Sequence, residues 1–193
     1  MSMTQIRLEQ LEKIIKEPSF RENKGLGNEV GYYVFDYPPK DELAIREWVR
    51  YWTVKNNPAI DGFKLVVFDL YDIMLEMLEQ EGFLEQCFQF EKKHGMDRIV
   101  TAIGRMLKIS DNSGGIMVDY IKERTTENSI MFLVGVGKCY PVLRSHKVLN
   151  NLHQVVDTVP VILFYPGEYD EQELVLFGTI TADENYYRAF KLI

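Results

Sequence analysis

Several things are scarce in this sequence, and each scarcity removes a class of function. There are two cysteines, Cys87 and Cys139, far apart and at no metal-ligand spacing. A disulfide-stapled secreted scaffold and a zinc-ribbon module are both excluded, and two buried reduced thiols are expected. Of the three histidines, His94, His146 and His153, only the last two share a helical face. Seven residues apart, they stand about 10 Å from each other along the axis, too far to share one ion. No uncharged apolar run approaches membrane-spanning length. The start, Met-Ser-Met-Thr-Gln-Ile-Arg, has no apolar core behind its charge and does not read as a signal peptide. Basic charge is also short. A formal net charge of −7 opposes sequence-independent nucleic-acid binding by the whole surface, so direct DNA binding by the isolated chain is not expected. These absences together predict a soluble, cytoplasmic protein that does not engage the membrane.

What is present is a core. Eleven Tyr and eleven Phe in 193 residues, with 46% hydrophobic content, suit one globular domain spanning residues 1–193. Residues 4–16 read as an amphipathic helix with Thr4 as N-cap and Pro18 just beyond its end. Residues 31–37 read as a strand closed by Pro38-Pro39, with Asp41 placed to cap the helix that carries Ile45, Trp48, Val49 and Trp52. A second strand over 63–70 leads directly into a helix, where Asp69 and Asp72 are candidate caps or, alternatively, carboxylates that hold a metal or act as a general base. A long helical tract follows, broken near His94-Gly95, and Gly114-Gly115 opens a short helix through Val118 and Ile121.

The apolar runs 130–134 and 159–164 have the length of buried strands. The helical segment between them has Val148, Leu149, Leu152, Val155 and Val156 as its apolar positions. Strand, glycine turn, helix, strand is the pattern of a crossover in a parallel sheet. The last two strand candidates, 173–180 and 187–193, follow each other with no helix between. Six strands in all predict a three-layer α/β domain with a mainly parallel sheet and antiparallel strands near its C-terminal end.

No catalytic set completes itself. Gly135-Val136-Gly137-Lys138 has the strand, turn and lysine of a phosphate loop, but Cys139 stands where Mg²⁺ would need a hydroxyl, and Pro141 removes a backbone donor. Ser145 beside His146 reads as a helix cap, since helix neighbours point apart. No cofactor is expected. The remaining candidates are binding residues. Lys138 and Arg144, bracketed by Tyr140 and Tyr165 and with His146 a further candidate beside them, would hold an anion or a partner's acidic side chain, or would pair with Asp36 or Asp69. Glu168 and Asp170, with Glu171 and Glu173, form an acidic turn that is either plainly solvated or a charged contact surface.

The ordered motifs from Gly135 to His146, Leu149-Asn150-Asn151-Leu152-His153, Phe164 to Asp170, Leu176-Phe177-Gly178 and Tyr186 to Phe190 resemble the BrxB family, found in bacteriophage-exclusion (BREX) defence islands. The resemblance runs through nearly the whole chain and includes the Leu11-to-Phe20 segment. BREX islands combine a DNA methyltransferase, a large ATPase and an alkaline-phosphatase-like protein, PglZ, to block phage replication while methylating host DNA. The resemblance implies a non-catalytic core component that binds other BREX proteins, PglZ first among them. It brings no catalytic residues to this chain. The alternative is a nucleotide- or phosphate-binding regulatory enzyme of the same system. By fold analogy, the sheet would be a degenerate P-loop-like, RecA-like one that has lost its phosphate loop.

Overall fold

The computed structural model describes residues 2–22, 31–107, 115–181 and 189–193. The chain opens with helices α1 (Met3–Lys16) and α2 (Pro18–Arg21), followed by strand β1 (Tyr32–Tyr37). A 3-10 turn at Pro39–Asp41 leads into α3 (Glu42–Lys55), α4 (Pro58–Asp61), β2 (Lys64–Asp69) and α5 (Leu70–Gln80). Next come α6 (Leu84–His94), α7 (Met96–Met106), α8 (Gly115–Arg124), β3 (Ser129–Val134) and the single turn α9 (Val136–Cys139). The chain closes with α10 (Ser145–Leu152), β4 (Val161–Tyr169), β5 (Leu174–Leu176), β6 (Ile180–Thr181) and β7 (Phe190–Lys191).

Five strands lie in the order β2-β3-β4-β1-β7, every neighbouring pair parallel, and β5 and β6 extend antiparallel from the far half of β4. The sheet is covered on both sides, which is why the middles of its strands are runs of apolar residues instead of alternating with polar ones. Met131, Leu133, Val161, Leu163, Tyr32 and Val34 face one core, built with α5, α7, α8 and α10. Ile130, Phe132, Ile162, Phe164 and Phe35 face the other, where Leu8, Leu11 and Ile15 of α1 meet Ile45, Val49 and Trp52 of α3. The result is the expected three-layer α/β domain with a mainly parallel sheet.

Local readings need four corrections. Ser2, not Thr4, caps α1, in a reciprocal box with Gln5. Thr4 is buried and donates to Asp41 Oδ2 at 2.6 Å, which takes Asp41 away from capping α3. The segment 173–180 is two short strands around a turn at Phe177-Gly178, not one strand. Of the candidate strand 187–193 the described residues are 189–193, and among them Phe190–Lys191 is strand and runs parallel to β1. The glycine loop at Gly25 and Gly27 lies outside the described residues. Among the described residues, no helix is long and apolar enough to cross a membrane.

Candidate functional site

The carboxyl ends of the parallel strands share one edge, the side of an open α/β sheet where sites form. Two features built there explain most of the polar residues.

The first lies between β2 and β3. Asp69 ends β2 and caps α5, accepting from the backbone N–H groups of Tyr71 at 3.0 Å and Asp72 at 3.3 Å. Gly135 ends β3 in the left-handed region at φ 80°. A Cβ on Gly135 would stand 2.3 Å from Asp69 Oδ1, so glycine is required there on both counts. One turn later Lys138 Nζ reaches Asp69 Oδ2 at 2.6 Å and Asp72 Oδ1 at 3.4 Å. Burial pulls the lysine pKa down, but the hydrogen bond and charge of Asp69, with Asp72 behind it, outweigh burial and raise it above its ordinary value. A helix N-terminus and a lysine therefore converge, as in a phosphate cradle, on the protein's own carboxylate. Asp69 occupies the place an anion would take, and Lys138 serves as its structural counter-ion.

Cys139, on the same turn, is buried. Burial first, then the charge of Asp69, push its thiol up to about 12. At pH 8 its thiolate fraction is then on the order of 10⁻⁴. Iodoacetamide at that pH is expected to leave Cys139 unmodified in the native protein and to label it in urea, read by mass spectrometry. Equal native and denatured labelling rates would contradict the burial. The sign for stability follows: the unfolded thiol ionises near its ordinary value and the folded one only near 12. This contribution is complete below the ordinary thiol value and is lost as pH rises between the two.

The second feature is a crevice of about 440 Å³ between the ends of β1 and β4, lined by Arg7, Asp36, Tyr37, Pro38, Pro39, Gly167, Glu168, Phe177 and Gly178. These strands are neighbours in space but not in sequence. The chain leaves β1 through α3 on one face and reaches β4 through α10 on the other, so the crevice sits at a topological switch point. Its floor is an ion network. Asp36 is buried and accepts from Arg7 Nη2 at 2.6 Å, Lys191 Nζ at 3.0 Å and the Tyr169 N–H at 3.1 Å. Arg7 also donates to the backbone carbonyls of Asp36 and Ile193, and Lys191 to that of Tyr169.

One wall of the crevice is the β5–β6 turn. Phe177 takes φ 55°, a region costly for an aromatic residue, followed by Gly178 at φ 71°. Its N–H donates to the Pro166 carbonyl at 2.9 Å, and its ring lies over Gly137, where a Cβ would be 2.9 Å from the ring. The turn thus holds an aromatic side chain, 38% exposed, at the crevice mouth.

The expected binding residues separate across this edge. Lys138 is engaged by Asp69 and Asp72, one of the alternatives read from the sequence. Asp36 takes Arg7 and Lys191 as its cations, not Lys138 or Arg144. Tyr140 is exposed, whereas Tyr165 is packed in the core, so the two stand in different environments. Arg144 is exposed at the N-cap position of α10. The side chains of Ser145 and His146 lie outside the described residues. Glu168 is exposed and lines the crevice. Asp170 accepts from the N–H groups of Gln172 at 2.9 Å and Glu173 at 2.7 Å, and these bonds hold its carboxyl below the ordinary range. Its role in the turn is therefore structural as well as electrostatic. Sequence reasoning did not single out Arg7, Pro38, Pro39 or Phe177 as site residues. The Phe-Gly pair at 177–178 was the available signal, as a two-residue turn between short strands. Among the described residues, no group of three His, Cys, Asp or Glu is placed to hold a metal ion.

Comparison with known proteins supplies the remaining observation. The family model described as BREX protein BrxB matches residues 66–192. A protein named BREX protein BrxB from Bacillus cereus (strain H3081.97) is 49% identical over 189 residues, covering 97% of this chain and 96% of that protein. One of the same name from Escherichia coli O9:H4 (strain HS) is 31% identical over 189 residues, covering 97% of this chain and 90% of that protein. No solved structure matches the chain.

Proposed function

From the premise that this chain belongs to the BrxB family of BREX components, we propose that it is a non-catalytic adaptor whose crevice docks a basic segment of another BREX protein, PglZ being the first candidate. The observation that carries the reading is Phe177. Backbone strain is spent to hold a partly exposed aromatic ring at the crevice mouth, where core packing alone would not require it. Exposed aromatics beside a pocket are the usual anchors of protein interfaces. Acidic residues set the partner's charge: Glu168 lines the crevice, and Asp170, Glu171 and Glu173 are exposed in the adjoining β4–β5 turn. An arginine- or lysine-bearing segment meets both the carboxylates and the ring. The occupied lysine at Asp69 favours this reading over nucleotide binding, since a phosphate would have to displace two carboxylates from Lys138.

Co-expression with each BREX component, followed by affinity capture, tests the proposal. The partner is expected to co-purify with the natural sequence. Phe177→Ala and Glu168→Lys are each expected to weaken binding by about tenfold or more, with unchanged circular dichroism. Arg144→Ala, at a residue that does not line the crevice, is the comparison variant and is expected to bind as the natural sequence does. If no component co-purifies, the adaptor reading fails. If one does and both crevice variants bind normally, the contact lies elsewhere.

A further inference from the structure

The sheet has a second unfinished feature, at the edge away from β7. Strand β2 pairs with β3 from Lys64↔Ser129 to Asp69↔Val134, and among the described residues no strand lies on its other side. Backbone groups of a strand point alternately to its two sides. The Lys64 N–H donates to the Asn128 carbonyl on the β3 side, so positions 64, 66 and 68 serve β3 and positions 63, 65, 67 and 69 face outward. The first part of that outer edge is already closed. Asn56 donates from Nδ2 to the Phe63 carbonyl at 3.1 Å and accepts from the Leu65 N–H at 2.7 Å, standing in for a neighbouring strand. Beyond it, the Leu65 carbonyl, both backbone groups of Val67 and the Asp69 N–H have no hydrogen-bond partner among the described residues. Val66 and Val67 are only partly buried. An open edge rich in β-branched residues is a liability that folded proteins normally cover or blunt.

We propose that a second copy of this chain covers it, the two β2 strands running antiparallel about a two-fold axis at Val67. The open window is symmetric about that residue. Val67 would exchange both backbone hydrogen bonds with its equivalent, and each Asp69 N–H would meet the Leu65 carbonyl of the other copy. The window is also short. The Asn56 amide closes one end and α5 begins at the other, so a longer foreign strand finds only the same few groups, whereas an identical short window matches them all. Charge agrees despite the net −7. In this register Lys64, exposed, stands opposite position 70 of the other copy, where the first turn of α5 carries Asp72, 71% exposed on its side chain. The pair occurs twice in the dimer. Val54 and Ile60, 84% and 81% exposed on α3 and α4 beside β2, add apolar surface to the same flank.

Sedimentation equilibrium of the full chain tests this directly. A concentration-dependent dimer is expected. Lys64→Asp brings like charges together twice and is expected to raise the dimer Kd at least about tenfold. Adding Asp72→Lys to that variant exchanges the charges and is expected to restore dimerisation, which separates a charge effect from damaged folding. Amide exchange of Val67 is expected to slow with rising protein concentration. A monomer at every concentration, or a dimer indifferent to Lys64→Asp and to the exchange, overturns the proposal. So does protection of Val67 that appears only when another protein is bound.

Discussion

Asp36→Ala is expected to destabilise the protein by about 3 kcal/mol and to lower Tm by roughly 10 °C. The loss does not come from a missing attraction alone. Removing the carboxylate strands two cations and the Tyr169 N–H around a buried point, and an uncompensated buried charge costs more than the pair contributes. Solvent moderates the figure. The Lys191 side chain is 40% exposed and can rehydrate, and Arg7 retains the carbonyls of Asp36 and Ile193. Lys191→Met should accordingly cost under about 1 kcal/mol, as exposed pairs do. Urea unfolding of the two variants checks both values. An Asp36→Ala loss no larger than that of Lys191→Met would mean that the network does not clamp the strand ends.

Gly167→Ala has the second large effect, by a different route. A Cβ at this position would lie 2.1 Å from the Val175 carbonyl oxygen and 3.0 Å from the Tyr165 ring. The first contact is backbone, paired across the β4–β5 ladder at Gly167↔Leu176, so no side-chain rotation relieves it. The hairpin must move away from β4, at a cost of about 2–3 kcal/mol, the upper range for overpacking. Phe177 moves with it. The variant should therefore lose partner capture while its parallel sheet persists, giving near-natural far-ultraviolet circular dichroism with a lowered Tm. A Gly167→Ala protein that keeps both its Tm and its partner would show that β5 can retreat freely and that the position of Phe177 is unimportant.

These two residues also mark what could be read from the sequence. Strands near 31–37, 63–70 and 130–134, found at Tyr32–Tyr37, Lys64–Asp69 and Ser129–Val134, the cap at Asp69 and the helix break at Gly95 follow from local signals: β-branched and aromatic runs, a carboxylate at a helix start, a glycine after a helical pattern. The end of β4 did not, because Pro166-Gly167 resembles a stop. In the sheet, pairing with β3 ends at Leu163, so the missing N–H of Pro166 leaves no rung of that ladder unmade, and the strand continues to Tyr169. Glu168 accordingly lies in a strand, and only residues 170–173 form the turn. Thr4 looked like a cap because a short hydroxyl before an apolar pattern usually is one; tertiary contact with Asp41 claimed it instead. The Asp36 network joins residues 7, 36, 169 and 191, and the crevice above it depends on β1 lying beside β4. Strand order decides both, and no local pattern encodes it.

That order has a consequence for how the molecule comes into being. β1 precedes the other described strands along the chain, yet its two neighbours are β4, in register from Tyr32↔Val161, and β7, at Tyr33↔Phe190. During synthesis β2, β3 and β4 can pair as they emerge, each beside the strand before it. β1 must wait without a strand neighbour until more than half of the chain has followed. Closing those long loops comes late and is entropically slow. The apolar strand β1 is therefore exposed longest on the growing chain, and the most vulnerable moment of folding falls just before β4 docks against it.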